Sequence, residues 1–585
     1  MNPAMHRRAG LVGIFLAVIL SIYSARLIHL QVAKHEEYTE RTAEITARKK
    51  PVPAERGRIV DVHGEVLADN VPIYTVVADG TLITDPPRLA EILSRHLDLP
   101  FEKVSADIAT DDPYIPLKKK VPALTVAALK EEVSAAGLRG LHYERQPKRN
   151  YPNENMLGHV VGFLNHEGRG VQGVEMMMEP YLRGEDGFVY TERDRTGREI
   201  VAYRGIERPA RDGMEVRLTV DMEIQSMVER ELAESYKCLN PNMIAAVFVR
   251  PRTGEILAMA TRPDFNPNDH GGAEQEAKKN RAIIEMFEPG STFKIVVIAA
   301  ALNERAVTPE SEFFCENGRF AYAGKTLKDV HGYGTLSVHD VLVKSSNIGC
   351  AKIAMHIGAD TFHEYIRRFG FGERTNIGLP GEIPGLVRPR HRWTGLSITR
   401  VPMGHEIAVT PLQIVMAMSA IANGGNMMLP QVVHSVRDGQ GNEVMGFRPQ
   451  VVRRVVSEET AAAVGAALRD VVGPRGTAPQ AAIRGFPVAG KTGTAQRVDP
   501  EGGYTPGKYV VSFAGYFPAN DPEVAGIVLV DDARRPGGNN YGGTVAAPIF
   551  SRIGAKIARH LDLVPESDEP GGTTIALVPF DSGLN

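Results

Sequence analysis

Ser291 and Lys294 stand three positions apart in "EPGSTFKIVV" (288–297), where a Pro-Gly turn gives way to an apolar run. Two readings of the pair are open. A serine at a helix start caps orphan N–H groups, and a lysine one turn later is common. Alternatively, a helix beginning near Ser291 puts i and i+3 on one face, so the amine can reach the hydroxyl. Residues 295–301 are apolar all round, the pattern of a buried helix. A lysine facing that interior is partly desolvated, its neutral form is favoured, and a neutral amine can take a proton from a serine.

A serine acylated by a carbonyl substrate also needs a proton path to the leaving nitrogen, an oxyanion hole and a hold on the substrate backbone. "VKSSNIG" supplies Ser345 and Asn347, and "AGKTGTAQ" (489–496) supplies Lys491, Thr492, Gly493 and Thr494. On an edge strand Gly493 would let another backbone approach closely, while Thr492 and Thr494 point the same way. A substrate peptide could then be held as an added strand. Each segment alone is a weak signal. SxxK, SxN and KTG in that order along one chain form a strong one.

The elements that must position these groups are spread along 585 residues, enough for two or more domains. A formal net charge of −3 leaves no nucleic-acid footprint, and the basic run 118–120 reads as solvated surface. Cys238, Cys315 and Cys350 are widely spaced, so neither a zinc site nor a disulfide scaffold is indicated. No His, Asp or Cys cluster has ligand spacing, and neither a metal nor another cofactor is expected.

The stretch "AGLVGIFLAVILSIYSA" (9–25) is uncharged between Arg8 and Arg26, the lower edge of a membrane span, extended if Arg26 snorkels. A cleavable signal peptide is the alternative, but Tyr23 would fill the minus-three place before a cut after Ala25, which favours an uncleaved anchor. Arg7 and Arg8 on the short leading side put the N-terminus in the cytoplasm and the remaining chain outside. The expected order is a cytoplasmic N-terminus (1–8), an anchor (9–32), a modular region (36–215), a larger domain (216–562) and a flexible tail (563–585). A helix continuing out of the anchor should end at "PVPAERG" (51–57). Within 216–562, Asp221 caps an amphipathic helix, 245–263 is a hairpin, two further strands follow residue 508, and a helix closes the domain. Strands at both ends with helices between suggest one antiparallel sheet assembled from distant segments, an α+β fold.

The three motifs together resemble those of the penicillin-recognising serine transpeptidases and β-lactamases. "RGRIVDVHGEVLA" (56–68) resembles the RGxIxDRxGxxLA segment of class B penicillin-binding proteins, with Val62 and His63 in place of Arg and Asn. "KRNYP", "GVQGVE", "NRAIIEMFEPGSTFK", "MGHEIAVTPLQ" and "YGGTVAAPIF" are similar to that family too, so the resemblance runs from the anchor to about residue 562. Length, the short distance from anchor to "RGRI" and the lack of an obvious C-terminal addition look most like the division-specific (FtsI) type. The elongation-specific relative is the alternative.

The resemblance implies an elongated pedestal, or dimerisation-like module, beneath a serine β-lactamase-like transpeptidase domain. It implies a D,D-transpeptidase in which Ser291 attacks the penultimate D-Ala carbonyl of a peptidoglycan stem peptide, with Lys294 as base. Ser345 would shuttle the proton, Asn347 would orient Lys294 and substrate, and Lys491 would attract the terminal carboxylate beside the Thr492 and Thr494 hydroxyls. The backbone N–H groups of Ser291 and Thr494 would form the oxyanion hole. It further implies β-lactam inhibitors, a membrane glycan polymerase of FtsW type and other divisome proteins as partners, and a bacterial inner-membrane location with the catalytic domain in the periplasm. A β-lactam hydrolase and a non-catalytic β-lactam sensor are the remaining alternatives. Glu288 is expected to support the nucleophile turn, Arg56 and Asp61 to form an ion pair, and His331, His339 and Trp393 to be structural.

Overall fold

The computed structural model describes residues 3–35, 47–193, 199–200, 207–499, 502–534 and 540–566. The first two residues, most of the expected anchor-proximal helix (36–46) and the tail from 567 onward lie outside the described residues. The chain divides into two compact units, residues 1–55 with 183–213, and 56–182 with 214–585.

The first unit begins with a helix over Pro3–Ile28 that continues as a π-helical turn, His29–Ala33. Within it Gly10–Val32 has a mean hydropathy of 2.2, long and apolar enough to cross a membrane by length and composition. Where the sequence predicts helix up to residue 50, the structure has a strand, Ala47–Val52, paired antiparallel with Gly187–Arg193. Pro51 and Pro53 explain the difference: proline ends helices, pushes the residue before it into extended conformations, and is tolerated on an edge strand. This strand lies at the edge of its sheet.

The second unit carries two large sheets. In the first, Val66–Ala78 pairs with both Ile115–Pro122 and Leu141–Asn150, and helices Pro86–Leu97, Phe101–Ile108 and Ala123–Ala135 bury Leu89, Leu93, Val104, Val126 and Leu129 against Val76 and Ala78. The same sheet runs on through Ile59–Val60, which lies parallel to Glu215–Leu218, to Val433–Arg437.

The expected ion pair between Arg56 and Asp61 does not form. Arg56 is buried and binds Glu175 and Glu179, each at 2.6 Å, while Arg149 holds the other Glu175 oxygen at 2.7 Å. Asp61 instead accepts the N–H groups of His63 and Glu65, both at 2.8 Å. His63 meets Asp221 Oδ2 at 3.2 Å, and His560 meets the same oxygen at 2.8 Å.

The second sheet is the antiparallel one expected from distant segments. Its order is Ile256–Arg262, Met243–Val249, Val524–Asp531, Tyr504–Phe517 and Ala489–Val498, which leaves the KTG strand at an edge. The Met243–Val249 strand is buried on both faces, and its residues divide by period two. Ile244, Ala246 and Phe248 pack beneath helices Met222–Leu239 and Ala546–His560 with Phe513, Phe517 and Phe550. Ala245, Val247 and Val249 join the core around Lys294–Asn303 and Pro411–Ala422. Asp221 caps its helix as expected, accepting from Glu223 and Ile224 N–H at 2.9 and 3.1 Å.

Candidate active site

Ser291 lies in a 3₁₀ turn, Gly290–Phe293, that feeds the helix Lys294–Asn303. The cap positions are Pro289 and Phe293, neither with a side-chain cap bond, so Ser291 is not a helix cap. Residues 295–301 are buried on every side, and Ile295, Val296, Val297 and Ile298, at about 1.5–3 kcal/mol each, fix the helix firmly beneath the turn.

The Lys294 amine makes three hydrogen bonds: to the Ser345 carbonyl at 2.5 Å, to Ser345 Oγ at 3.1 Å and to Asn347 Oδ1 at 2.8 Å. None goes to a carboxylate. Lys294 is 0% exposed, and burial lowers its pKa. Lys491 is also 0% exposed and is pushed well down, by burial first and then by the positive charge of Lys294. Two lysines thus share one interior, which favours a neutral amine and leaves a strong demand for an anion.

Ser345 adopts φ +60, a left-handed conformation that costs a non-glycine residue about 1–2 kcal/mol. In it the Ser345 carbonyl and hydroxyl both reach Lys294. Asn347 opens the helix Asn347–Ile357, with Ser346 as its cap through Gly349 N–H at 2.9 Å. Sequence reading missed Asp329, which holds this turn from outside. Its carboxylate accepts from Ser346 Oγ at 2.6 Å and from Asn347 and Ile348 N–H at 2.5 and 3.1 Å. A lone aspartate in a loop carries no local signal of that role. Cys350, in the same helix, is a packed thiol pushed up to about 12 by burial.

Along Ala489–Val498 the side chains alternate. Gly493 faces the nucleophile turn: a Cβ there would lie 2.8 Å from the Pro289 carbonyl oxygen and 3.1 Å from Thr292 Cγ2. The backbone that Gly493 admits is therefore that of the turn bearing Ser291. Thr492 and Thr494 share a face, as the sequence predicts. Thr494 Oγ1 accepts Gly542 N–H at 3.1 Å, and Thr492 Oγ1 lies 3.3 Å from Thr477 Oγ1. A Cβ on Gly290, at φ +55, would lie 2.9 Å from the Thr494 carbonyl oxygen, so strand and turn meet backbone to backbone.

Glu288 supports the turn, accepting from Glu406 N–H and Tyr504 OH, both at 3.0 Å. His339 binds Asp470 at 3.0 Å, His331 sits edge-on to Tyr333, and Trp393 packs edge-on to Phe362 with its Nε1 donating to the Arg388 carbonyl. Among the described residues no group of three His, Cys, Asp or Glu side chains could hold a metal ion.

The chain matches the family described as the penicillin binding protein transpeptidase domain over residues 244–555, and the penicillin-binding protein dimerisation domain over 51–218. It is 32% identical over 575 residues to stage V sporulation protein D of Bacillus subtilis, covering 97% of this chain and 88% of that one. It is 31% identical over 555 residues to the peptidoglycan D,D-transpeptidase FtsI of Escherichia coli, covering 94% and 91%. Among solved structures it resembles penicillin binding protein 3 of Mycobacterium tuberculosis complexed with aztreonam, with a TM-score of 0.69 and 27% identity over 88% of this chain and 98% of that one. Penicillin binding protein 2X of Streptococcus thermophilus superposes with a TM-score of 0.75 at 25% identity, covering 89% and 83%. A lysine-rich serine site on a five-stranded edge, both family matches and near full-length similarity agree: the chain belongs to the class B penicillin-binding proteins.

Proposed function

We propose that the protein is a peptidoglycan D,D-transpeptidase that cross-links stem peptides through an acyl-enzyme on Ser291 and is inhibited by β-lactams. The observation that carries this reading is the buried Lys294 amine, whose hydrogen bonds go to Ser345 and Asn347 and none to a carboxylate, and whose pKa burial lowers although the more distant Asp329 charge opposes it. As a neutral base it takes the Ser291 proton while the hydroxyl attacks the penultimate D-Ala carbonyl. Ser345 passes that proton to the departing D-Ala nitrogen. Asn347 orients Lys294 and the substrate amide, and Lys491 draws in the terminal carboxylate. Thr492 and Thr494 on the edge strand hold the substrate backbone, Gly493 between them lets the Ser291 turn close against the strand, and the N–H groups of Ser291 and Thr494 receive the oxyanion.

The chain is a single-pass protein of the bacterial cytoplasmic membrane in this reading, with residues 36–215 as its pedestal, 216–562 as the catalytic domain and the active site in the periplasm. The apolar helix Gly10–Val32, preceded by Arg7 and Arg8, supports that orientation. Septal synthesis beside an FtsW-type glycan polymerase is the assignment that the short link from anchor to residue 56 favours. Septal rather than side-wall localisation of a fluorescent fusion is its test.

The chemistry is tested by intact mass over time for the full chain in detergent with a penicillin, beside Ser291→Ala. A lasting one-ligand adduct absent from the variant, together with cross-linking of stem peptides, is the expected result. Rapid drug turnover with a fleeting adduct would identify a hydrolase instead, and an adduct without cross-linking would identify a sensor.

A further inference from the structure

A carboxylate-oriented imidazole stands on the nucleophile turn, outside the Lys294 relay. Glu288 lies three residues before Ser291, and its side chain is 11% exposed. Its Oε2 meets His405 Nδ1 at 2.7 Å and accepts from the Tyr504 hydroxyl at 3.0 Å, and that hydroxyl is 3.2 Å from the same Nδ1. A carboxylate at this position keeps the proton on Nδ1 and leaves Nε2 as an acceptor. His405 is fixed to the turn through the backbone as well. Gly290 N–H donates to the Gly404 carbonyl at 3.3 Å, and a Cβ on Gly404 would lie 2.2 Å from the Gly290 carbonyl oxygen. The His405 side chain is 26% exposed, enough to exchange protons with solvent.

The proposed acylation steps leave this group unused. Transpeptidation has a second half in which the acceptor arrives as a primary ammonium and must lose a proton before it can attack. In the first half the Ser291 proton ends on the departing D-Ala nitrogen, so Lys294 is neutral again in the acyl-enzyme. Resting on the transpeptidase reading, we infer that Glu288, His405 and Tyr504 receive the ammonium of the acceptor strand, and that His405 Nε2 takes its proton. The freed amine attacks the acyl carbon, and the bond from that carbon to Ser291 Oγ breaks. The second amine proton returns through Lys294 to Ser291 Oγ. The products are the new amide, a free serine and one proton on His405, released to water.

Glu288 is the carboxylate bonded directly to His405, and Glu406 is engaged by Ser397. Glu288 and Tyr504 meet the His405 ring; Glu406 is its chain neighbour, the Arg400 carbonyl accepts from His405 N–H at 3.2 Å, and Arg388 approaches Glu406 at 3.7 Å. Burial and the Glu288 charge raise the Tyr504 phenol, which therefore stays a donor to Glu288.

The test separates the two half-reactions in the full chain, purified in detergent. One assay measures acylation of Ser291 by penicillin. The other measures transfer from a D-alanyl thioester to D-alanine as the probe amine. In His405→Gln, transfer is expected to fall at least about tenfold, while penicillin acylation stays within about threefold of wild type. Added imidazole is expected to restore transfer in His405→Ala. Unchanged transfer in either variant would overturn the inference. So would a parallel fall of acylation and transfer that imidazole does not relieve, since that marks a turn damaged by loss of packing. A wild-type chain that penicillin fails to acylate would sink the transpeptidase reading, and this inference with it.

Discussion

Lys294 Nζ donates to Asn347 Oδ1 at 2.8 Å, so the buried amine is held by a neutral amide where a carboxylate would have fixed its charge. That choice sets the first prediction. Asn347→Asp places a negative oxygen at the same point, favours the ammonium and raises the Lys294 pKa. With the neutral amine as the proposed base, a raised pKa would move the acid limb of acylation to higher pH. Penicillin acylation near neutral pH is expected to fall at least about tenfold, roughly 1.4 kcal/mol, and to recover further up the pH scale than wild type does. Acylation rates followed by mass across a pH series check this; an unshifted profile would remove Lys294 from the role of base.

Gly493→Ala tests the close meeting of edge strand and nucleophile turn. The new Cβ would lie 2.4 Å from Ser512 Oγ and 2.8 Å from the Pro289 carbonyl oxygen, so the turn must move. Overpacking of this kind costs about 1–3 kcal/mol of stability, and displacement of Ser291 should cost acylation about tenfold or more. Denaturation and penicillin-binding rates on the same sample separate the two effects, and normal acylation would show that the turn yields without moving the serine.

Arg56→Met strikes the buried ionic cluster. It leaves Glu175, at 0% exposure, with one oxygen unpaired, although Arg149 and Tyr151 still hold the other. Breaking one side of a buried pair costs roughly 3 kcal/mol. A lowered unfolding midpoint is expected, and an unchanged midpoint would show that Arg149 and Tyr151 suffice to hold Glu175.

His159 supplies a pH dependence of stability. Burial pulls its imidazole down to about 4, with Nε2 on the Ala277 carbonyl at 2.7 Å. The unfolded chain binds this proton near pH 6.5 and the folded chain only near 4, so below about 6.5 the unfolded state holds more protons. The stability this residue provides is therefore complete above pH 6.5 and falls away toward pH 4, by roughly 3 kcal/mol. Unfolding midpoints from pH 7 to 4 should decline more steeply in wild type than in His159→Gln.

The helix under Ser291, the cap at Asp221, the 243–262 hairpin and the apolar segment at 10–32 were legible because each is set by neighbours a few positions away. Apolar periodicity, a capping carboxylate and turn chemistry act over short spans. The strand at 47–52 was misread for the same reason: its partner, 187–193, lies far along the chain, and pairing outweighed the helical texture before it.

The sequence by itself determined that a serine, two lysines, an amide and a glycine-bearing KTG segment are available in the right order, and that one helix is apolar enough to be buried. Only the tertiary structure decided that Lys294 binds Ser345 and Asn347, that Lys491 shares its interior, and that Asp329 braces the turn between them. Residue spacing along a chain constrains faces within one element. Contacts between elements depend on strand order and register, where a shift of one residue turns every side chain to the other face. Arg56 shows the consequence: Asp61, five positions on, is taken by the N–H groups of its own turn, and the partners of Arg56, Glu175 and Glu179, come from more than a hundred residues away.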